Sequence, residues 1–500
     1  MADSPLRRLL VQSSHYGVTS LFNMVAGLIT FPVLTRLFSV ADYGAMNLVA
    51  ATLTVSVAVG KVGVQHSIVR YHSEIDAGKS RFTLAQLYST TILGMAGSAV
   101  VVVLALVIFA RAAPARWLGD PRLGRLFAIA SLLIVVQVLE SALVNFLRAE
   151  QRTAALMKYQ IAKKYLGLGF ILFAVLVISR SLTAFYSSSV LSESLALVIL
   201  ALWMFRRSGR PRPRSAEFSR PLYLDLLGFG IPMMIGYELS GLILSVGDRY
   251  VIDGIIGEEQ LGLYAAAYNL CQYVQQLVIA SLGQAIMPIY MQMWDQKGVA
   301  ETSAFISRSL RTYLMFGIPI VAGLASVGPE LLPSLASEKY ASAALILPWV
   351  IGGMVADGTN TMLGAGLFIQ RKTRTIMTVV LSCAALNLIL NLILVPRIGI
   401  QGAAIATLVC YTVAALSLGW AGRALLPVAL PWGMLLRAGL ASLAMYLALI
   451  HVCPGRRLVT VAVRMLVGAI VYGGIMVLIS ADARELFRKV IDRVRPGVKS

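Results

Sequence analysis

Charge is what this sequence has least of. Only 13% of its 500 residues are Asp, Glu, Lys or Arg, against 58% hydrophobic residues and a mean hydropathy of +0.79. A soluble domain carries about a quarter charged residues, so a water-bathed globule is excluded. Acidic residues are scarcer than basic ones, 23 against 43, which leaves a formal charge of +20. That excess does not indicate nucleic acid, because Lys and Arg are scattered in short clusters between apolar runs rather than gathered on one polar module. Cysteine is rare as well. Cys271, Cys383, Cys410 and Cys453 show no CxxC spacing and most sit in apolar runs, so neither a zinc site nor a disulfide framework is indicated. The four histidines, His15, His66, His72 and His451, are dispersed, there is no Gly-rich phosphate loop and no HExxH, and no outside loop is large enough to hold an acceptor site. The chain therefore reads as a non-enzyme with no cofactor and no metal.

What is present is a succession of long apolar runs. A membrane span needs roughly 20 such residues. Six are placed at about 12–36, 44–66, 83–110, 123–147, 157–179 and 182–205. Six more follow at about 223–247, 260–283, 305–327, 341–368, 375–395 and 400–422, and a last pair at 432–452 and 459–479. The first run continues to Phe38, too long for a signal peptide, and is expected to remain as a span. The expected fold class is all-α integral membrane, with about 14 transmembrane helices. The sixth run, with Ser187, Ser188, Ser189, Ser192 and Glu193, and the tenth, with Asp357 and Asn360, are the most polar. Cytoplasmic loops hold the excess of Lys and Arg. Arg7, Arg8, Arg70, Lys79, Arg81, Arg148, Arg152 and the basic tail then place the N-terminus and C-terminus in the cytoplasm. Arg111, Arg116, Arg122 and Arg125 run against that pattern.

One linker stands out. The Arg- and Pro-rich stretch 206–222 resists helix packing and is expected to lie in water on the cytoplasmic side. It separates an N-terminal helical lobe (1–205, spans 1–6) from a C-terminal lobe (223–424, spans 7–12). An extra helix pair (425–480, spans 13–14) and a basic cytoplasmic tail (481–500) follow. The two halves open alike: Gly17 and Arg36 recur 213 residues later as Gly230 and Arg249, and Tyr43-Gly44 matches Leu261-Gly262. Six plus eight spans hinged by a basic loop describe a two-lobed transporter with internal repeats; chance similarity between apolar helices is the other reading.

Four stretches carry a family resemblance. They are Pro32-Val-Leu-Thr-Arg36 with Asp42-Tyr43-Gly44, Gly247-Asp248-Arg249-Tyr250 leading to Gly262-Leu-Tyr264-Ala-Ala-Ala-Tyr268, Asn387 to Pro396, and Gly399-Ile-Gln-Gly402 to Thr407. With these, the chain resembles the Wzx-type oligosaccharide flippases of the polysaccharide transporter family. That family lies within the superfamily that also holds multidrug and lipid II exporters. The resemblance implies two helical lobes around a central cavity that opens alternately to each side of the bacterial inner membrane. It implies as cargo an oligosaccharide on undecaprenyl pyrophosphate, moved from the cytoplasmic to the periplasmic leaflet. The implied partners are the lipid bilayer, this polyprenyl-linked oligosaccharide, and polysaccharide polymerase and export proteins. A multidrug or organic-cation exporter of the same fold, a lipid II flippase and a membrane polysaccharide polymerase are the competing readings.

A sugar crossing lipid needs a polar path, since each unpaired polar group in hydrocarbon costs several kcal/mol. Polar residues within spans are thus the candidates. Lys163 and Lys164 fall inside the fifth span, because Tyr165 to Ile178 is too short to cross alone. Each costs about 2.5–3.5 kcal/mol at a span centre. Snorkelling, pairing with Glu140 and attraction of the carrier's pyrophosphate, with Arg148 or Lys158 at the mouth, are the three answers. Lys61 shares a polar face with Asn47, Thr54 and Gln65 and is a further cavity cation or a snorkelling lysine. Glu238 is expected to be a buried, ion-coupling carboxyl, whereas Asp248 and Arg249 read as a surface pair. Tyr16, Ser20, Asn23, Gly27 and Thr30 share one face of the first span, and Tyr264, Tyr268, Gln272 and Gln275 one face of the eighth. Both faces can contact sugar or pack against neighbouring helices.

Overall fold

The computed structural model describes residues 5–112, 121–207, 210–276, 280–451, 458–485 and 488. All regular structure among them is helical, with no strand. Twelve helices are long and apolar enough to cross a membrane, and the bent pair Arg220–Gly236 and Ser240–Ile256 makes a thirteenth if it counts as one span. The chain is thus a multi-pass membrane protein. Each expected span from the first to the seventh and from the ninth to the last falls on one of these segments. The eighth, expected at 260–283, begins on the helix Glu258–Val274 and runs over 277–279, which lie outside the described residues, as do Arg116, Cys453 and most of the basic tail.

The chain divides into two compact units, Met1–Gly262 with Val380–Pro396, and Leu263–Val379 with Arg397–Ser500. In the first unit, the first span (Pro5–Leu37) packs on the fifth (Thr153–Phe173), where Tyr165 donates to the Phe22 carbonyl at 3.2 Å and the two rings meet edge-on. The fourth span (Pro121–Ala130, then Leu132–Ala149) lies among the second, third and sixth. The seventh span packs on the second and third: Ser67 Oγ donates to the Leu226 carbonyl at 2.9 Å, and Tyr223 lies against Gly94. The unit boundary accordingly falls after Gly262, beyond the linker.

That linker is not simply held in water. The Arg210 side chain is only 6% exposed and forms an ion pair with Glu150, while its guanidinium lies over the Trp203 ring. Tyr88 Oη donates to the same carboxylate at 2.7 Å. The Arg214 and Ser219 amides donate to Ser89 Oγ and Thr90 Oγ1 at 3.1 and 2.9 Å. Backbone donors that proline-rich sequence leaves without helix partners are thus satisfied by the third span's hydroxyls. Arg206, Arg212, Arg214 and Arg220 remain exposed.

In the second unit, Leu347–Gly358 packs on Ile400–Gly422, and the last two helices, Trp432–His451 and Leu458–Ile479, pack on each other and on Ala280–Leu335, itself broken at Gly298 (φ 76°). Arg464, 4% exposed, pairs with Glu330 and donates to the Leu449 carbonyl at 2.7 Å, which fastens the final helix.

Candidate functional site

Two spans of the first unit are broken where their polar residues lie. In the second span, Val40–Gly60 stops at Lys61, Val62 and Gly63 take φ of 45° and 73°, and a new helix runs from Val64 to Asp76. Positive φ at a β-branched valine is a strained backbone that surrounding packing must impose. Here the packing is visible: a Cβ on Gly63 would overlap the Gly230 carbonyl, and one on Gly230 would meet the Gly63 carbonyl group. Only glycine permits this approach. In the seventh span, Pro232 cannot donate to the preceding turn, and just after it Met234–Leu239 opens into a π turn. The helices on either side differ in direction by 48°.

These two breaks bring Lys61 and Glu238 together. Lys61 Nζ lies 3.4 Å from Glu238 Oε1, with the two side chains 21% and 20% exposed. Gln65 Nε2 donates to Glu238 Oε2 at 2.5 Å, and His66 Nε2 lies 3.3 Å from the same oxygen. A carboxylate with three such neighbours is well satisfied, and it balances the lysine's charge within the span. Asn47 and Thr54, expected on the same polar face, instead donate to their own helix at the Tyr43 and Ala50 carbonyls, both at 2.8 Å.

A second cluster joins the fourth, fifth and sixth spans. Lys163 Nζ lies 2.5 Å from Glu140 Oε2 and 3.4 Å from Glu193 Oε2, and Gln137 Nε2 donates to Glu193 Oε2 at 3.1 Å. Of the three answers open for Lys163, pairing with Glu140 is the one found. Lys164, one residue on and so turned by about 100° around the helix, is exposed and makes no such pair among the described residues. Arg148 and Lys158 are exposed near the same end, with Arg148 Nη1 3.4 Å from Asn145 Oδ1.

Other expected residues fall elsewhere. Asp248 and Arg249 do not form a surface pair: they are 1% and 9% exposed at the side chain, 3.2 Å apart, and Arg249 donates to the Ser245 carbonyl at 2.8 Å. Tyr264 and Tyr268 are buried, with ring centroids 5.8 Å apart, whereas Gln272 is exposed. Asn23 is half-buried, and the Tyr16 side chain lies outside the described residues. The sequence reading missed His66 and Gln137 as partners. Gly63 carried the signal for His66, because a helix break there re-aims every residue after it.

Both clusters place paired charges inside apolar spans, and known transport proteins are among those to which the chain is similar. It is 23% identical over 344 residues to the succinoglycan biosynthesis transport protein ExoT of Rhizobium meliloti, covering 68% of this chain and 64% of that one. It is 23% identical over 295 residues to the probable low-salt glycan biosynthesis flippase Agl15 of Haloferax volcanii, covering 58% and 60%. The chain thus spans under two thirds of the length of these curated relatives. Its fold is similar to that of the lipid II flippase MurJ in an inward closed conformation, with a TM-score of 0.75, 15% identity, and 95% and 99% of the two chains covered. It also resembles an inward-facing MATE multidrug resistance transporter, with a TM-score of 0.65, 14% identity, and 81% and 94% covered. The sequence profile for polysaccharide biosynthesis proteins matches residues 33–345, and the chain belongs to that family.

Proposed function

We propose that this protein is a flippase that moves an undecaprenyl-pyrophosphate-linked oligosaccharide from the cytoplasmic to the periplasmic leaflet of a bacterial inner membrane, by alternating access, for cell-surface or exopolysaccharide synthesis. The observation that carries the reading is the pair of charge clusters held inside apolar spans of a polysaccharide biosynthesis protein. Intramembrane ions are costly and mark substrate or ion pathways. Two relatives named for glycan transport and glycan flipping support the same class of cargo. In this reading there are fourteen spans, both termini are cytoplasmic, and residues 1–205 and 223–424 act as the two lobes, with the pair 425–480 beside them.

The residues divide the work as follows. Lys164, with Arg148 and Lys158 at the mouth, attracts the pyrophosphate, because these cations are exposed. Lys163 holds the fourth, fifth and sixth spans together. Lys61 and Glu238 form an exchangeable pair: when Glu238 takes up a cation, Lys61 is released to the anionic cargo, and its return resets the site. Asn23 and Gln272 are the sugar contacts among the accessible candidates.

The test is leaflet-resolved accumulation of lipid-linked oligosaccharide in cells with and without the gene. Cargo accumulating on the cytoplasmic leaflet in its absence is the expected result. An unaltered lipid pool with raised sensitivity to cationic drugs overturns the flippase reading in favour of an exporter.

A further inference from the structure

Two of the arginines that ran against the positive-inside pattern, Arg122 and Arg125, share a cavity with a third, Arg180. Arg122 and Arg125 stand in the first turns of the fourth span, and Arg180 stands between the fifth and sixth, about 55 residues away in sequence. With Phe38, Asp42 and Ser181 they line a cavity of about 360 Å³ in the first unit, within the usual size of a small-ligand pocket. It lies at the end of the second span opposite Lys61, some 30 Å of helix away at about 1.5 Å per residue over Val40–Gly60.

Its charge is unbalanced. Asp42 accepts from Ser39 Oγ at 2.7 Å and from Arg122 Nη1 at 2.8 Å, so that carboxylate is already engaged. Arg125 and Arg180 are exposed and make no ion pair among the described residues. Three helices, Val40–Gly60, Pro121–Ala130 and Leu182–Arg207, begin at this cavity, and each adds the partial positive charge of its N-terminus. Buried Phe38 closes one wall. Guanidinium forks match the oxygens of a phosphate, which a lone ammonium does not.

We propose that this three-arginine cavity binds the phosphate or diphosphate of a lipid headgroup. The anion site stands on the geometry alone; its place at the outer leaflet, where delivered carrier would be received, rests on the flippase reading and its orientation.

The full chain is reconstituted in phosphatidylcholine nanodiscs and titrated with inorganic pyrophosphate, polyprenyl diphosphate and phosphatidylglycerol. Wild type is expected to bind a diphosphate, with affinity falling at least about tenfold in Arg125→Ala/Arg180→Ala and by less in Arg125→Lys/Arg180→Lys, which keeps charge without the fork. Lys79→Ala, an exposed cation beyond the other end of the second span, serves as the reference and should bind as wild type does. Polyprenyl diphosphate binding that phosphatidylglycerol fails to displace identifies the carrier as the source; equal displacement identifies bulk anionic lipid, and either supports a phosphate site. Unchanged binding in a double variant that keeps its melting temperature, or no binding of any probe, overturns the proposal. If the alanine variant does not fold, unchanged binding in the lysine variant does so instead. Arginine-dependent pyrophosphate binding in a protein whose loss leaves the lipid-linked pool unaltered retains the site and removes the flippase.

Discussion

Lys163 and Lys164 are adjacent in sequence yet differ in exposure and in close partners, and the difference is one step of helical rotation. Lys163 points to Glu140 and Glu193 on two neighbouring spans, while Lys164 is exposed. Removing Lys163 leaves Glu140 and Glu193 close together in the membrane without the cation that bridges them. Breaking a buried pair by deleting one partner costs about 3–5 kcal/mol, and the partial exposure here sets the expectation near the lower limit, about 3 kcal/mol. Lys163→Ala should therefore lower the melting temperature of the purified protein clearly, whereas Lys164→Ala should leave it unchanged and reduce transport. Normal transport by a folded Lys164→Ala variant would show that this lysine does not attract the cargo. Part of this was legible in the sequence: two lysines in a span demand a counter-charge, and Glu140 was the nearest acid on an adjacent run. Glu193 as the second acid was not legible, because the rotational phase of one span against another is set by packing along their whole length. The same limit explains why Asp248 and Arg249 read as a surface pair although they are buried.

Elements behaved differently, and here the breaks were the informative features. Gly63 and Pro232 are visible in the sequence as residues that interrupt helices, but their meeting of Lys61 with Glu238 is a tertiary fact with no local signal. Apolar periodicity locates spans because lipid demands it of every span alike; the linker escaped that logic. Arginine and proline content argued for a segment surrounded by water, whereas Arg210 is drawn in by the Glu150 carboxylate and the third span's hydroxyls accept from the Arg214 and Ser219 amides. Burial pushes the Glu150 carboxyl up, but the hydrogen bonds from Arg210 and Tyr88 outweigh it and hold the carboxyl below its ordinary value. A depressed carboxylate contributes stability that is complete above the ordinary glutamate value, about 4.3, and is lost as pH falls through the folded value. A spin label at exposed position 215 should thus be immobile at neutral pH and loosen only in acid. Glu150→Gln should loosen it already at neutral pH and remove the acid step. Identical label mobility in the two proteins at neutral pH would mean that the pair does not fasten the linker.

At the scale of the whole molecule, residues far apart in sequence approach each other at two glycines. A Cβ on Gly44 would overlap the Glu258 carbonyl oxygen, and one on Gly262 would overlap that of Val40. The two contacts are reciprocal: each glycine stands four residues after the carbonyl that its counterpart approaches. Such approaches fit Cα–H···O contacts, which need backbones this close. The direction of the chain through the membrane is testable at a few positions. If the N-terminus is cytoplasmic, the second span enters from the outside at Val40 and leaves toward Lys79. The arginine cavity then faces the periplasm, and Lys79 the cytoplasm. In a background without native cysteines, Arg180→Cys in intact cells should react with a membrane-impermeant maleimide, and Lys79→Cys should react only after the inner membrane is opened. The reverse pattern would invert the orientation, and with it the leaflet from which cargo enters. Both exposed positions lie at opposite ends of the same unit, so the comparison does not depend on how many spans follow.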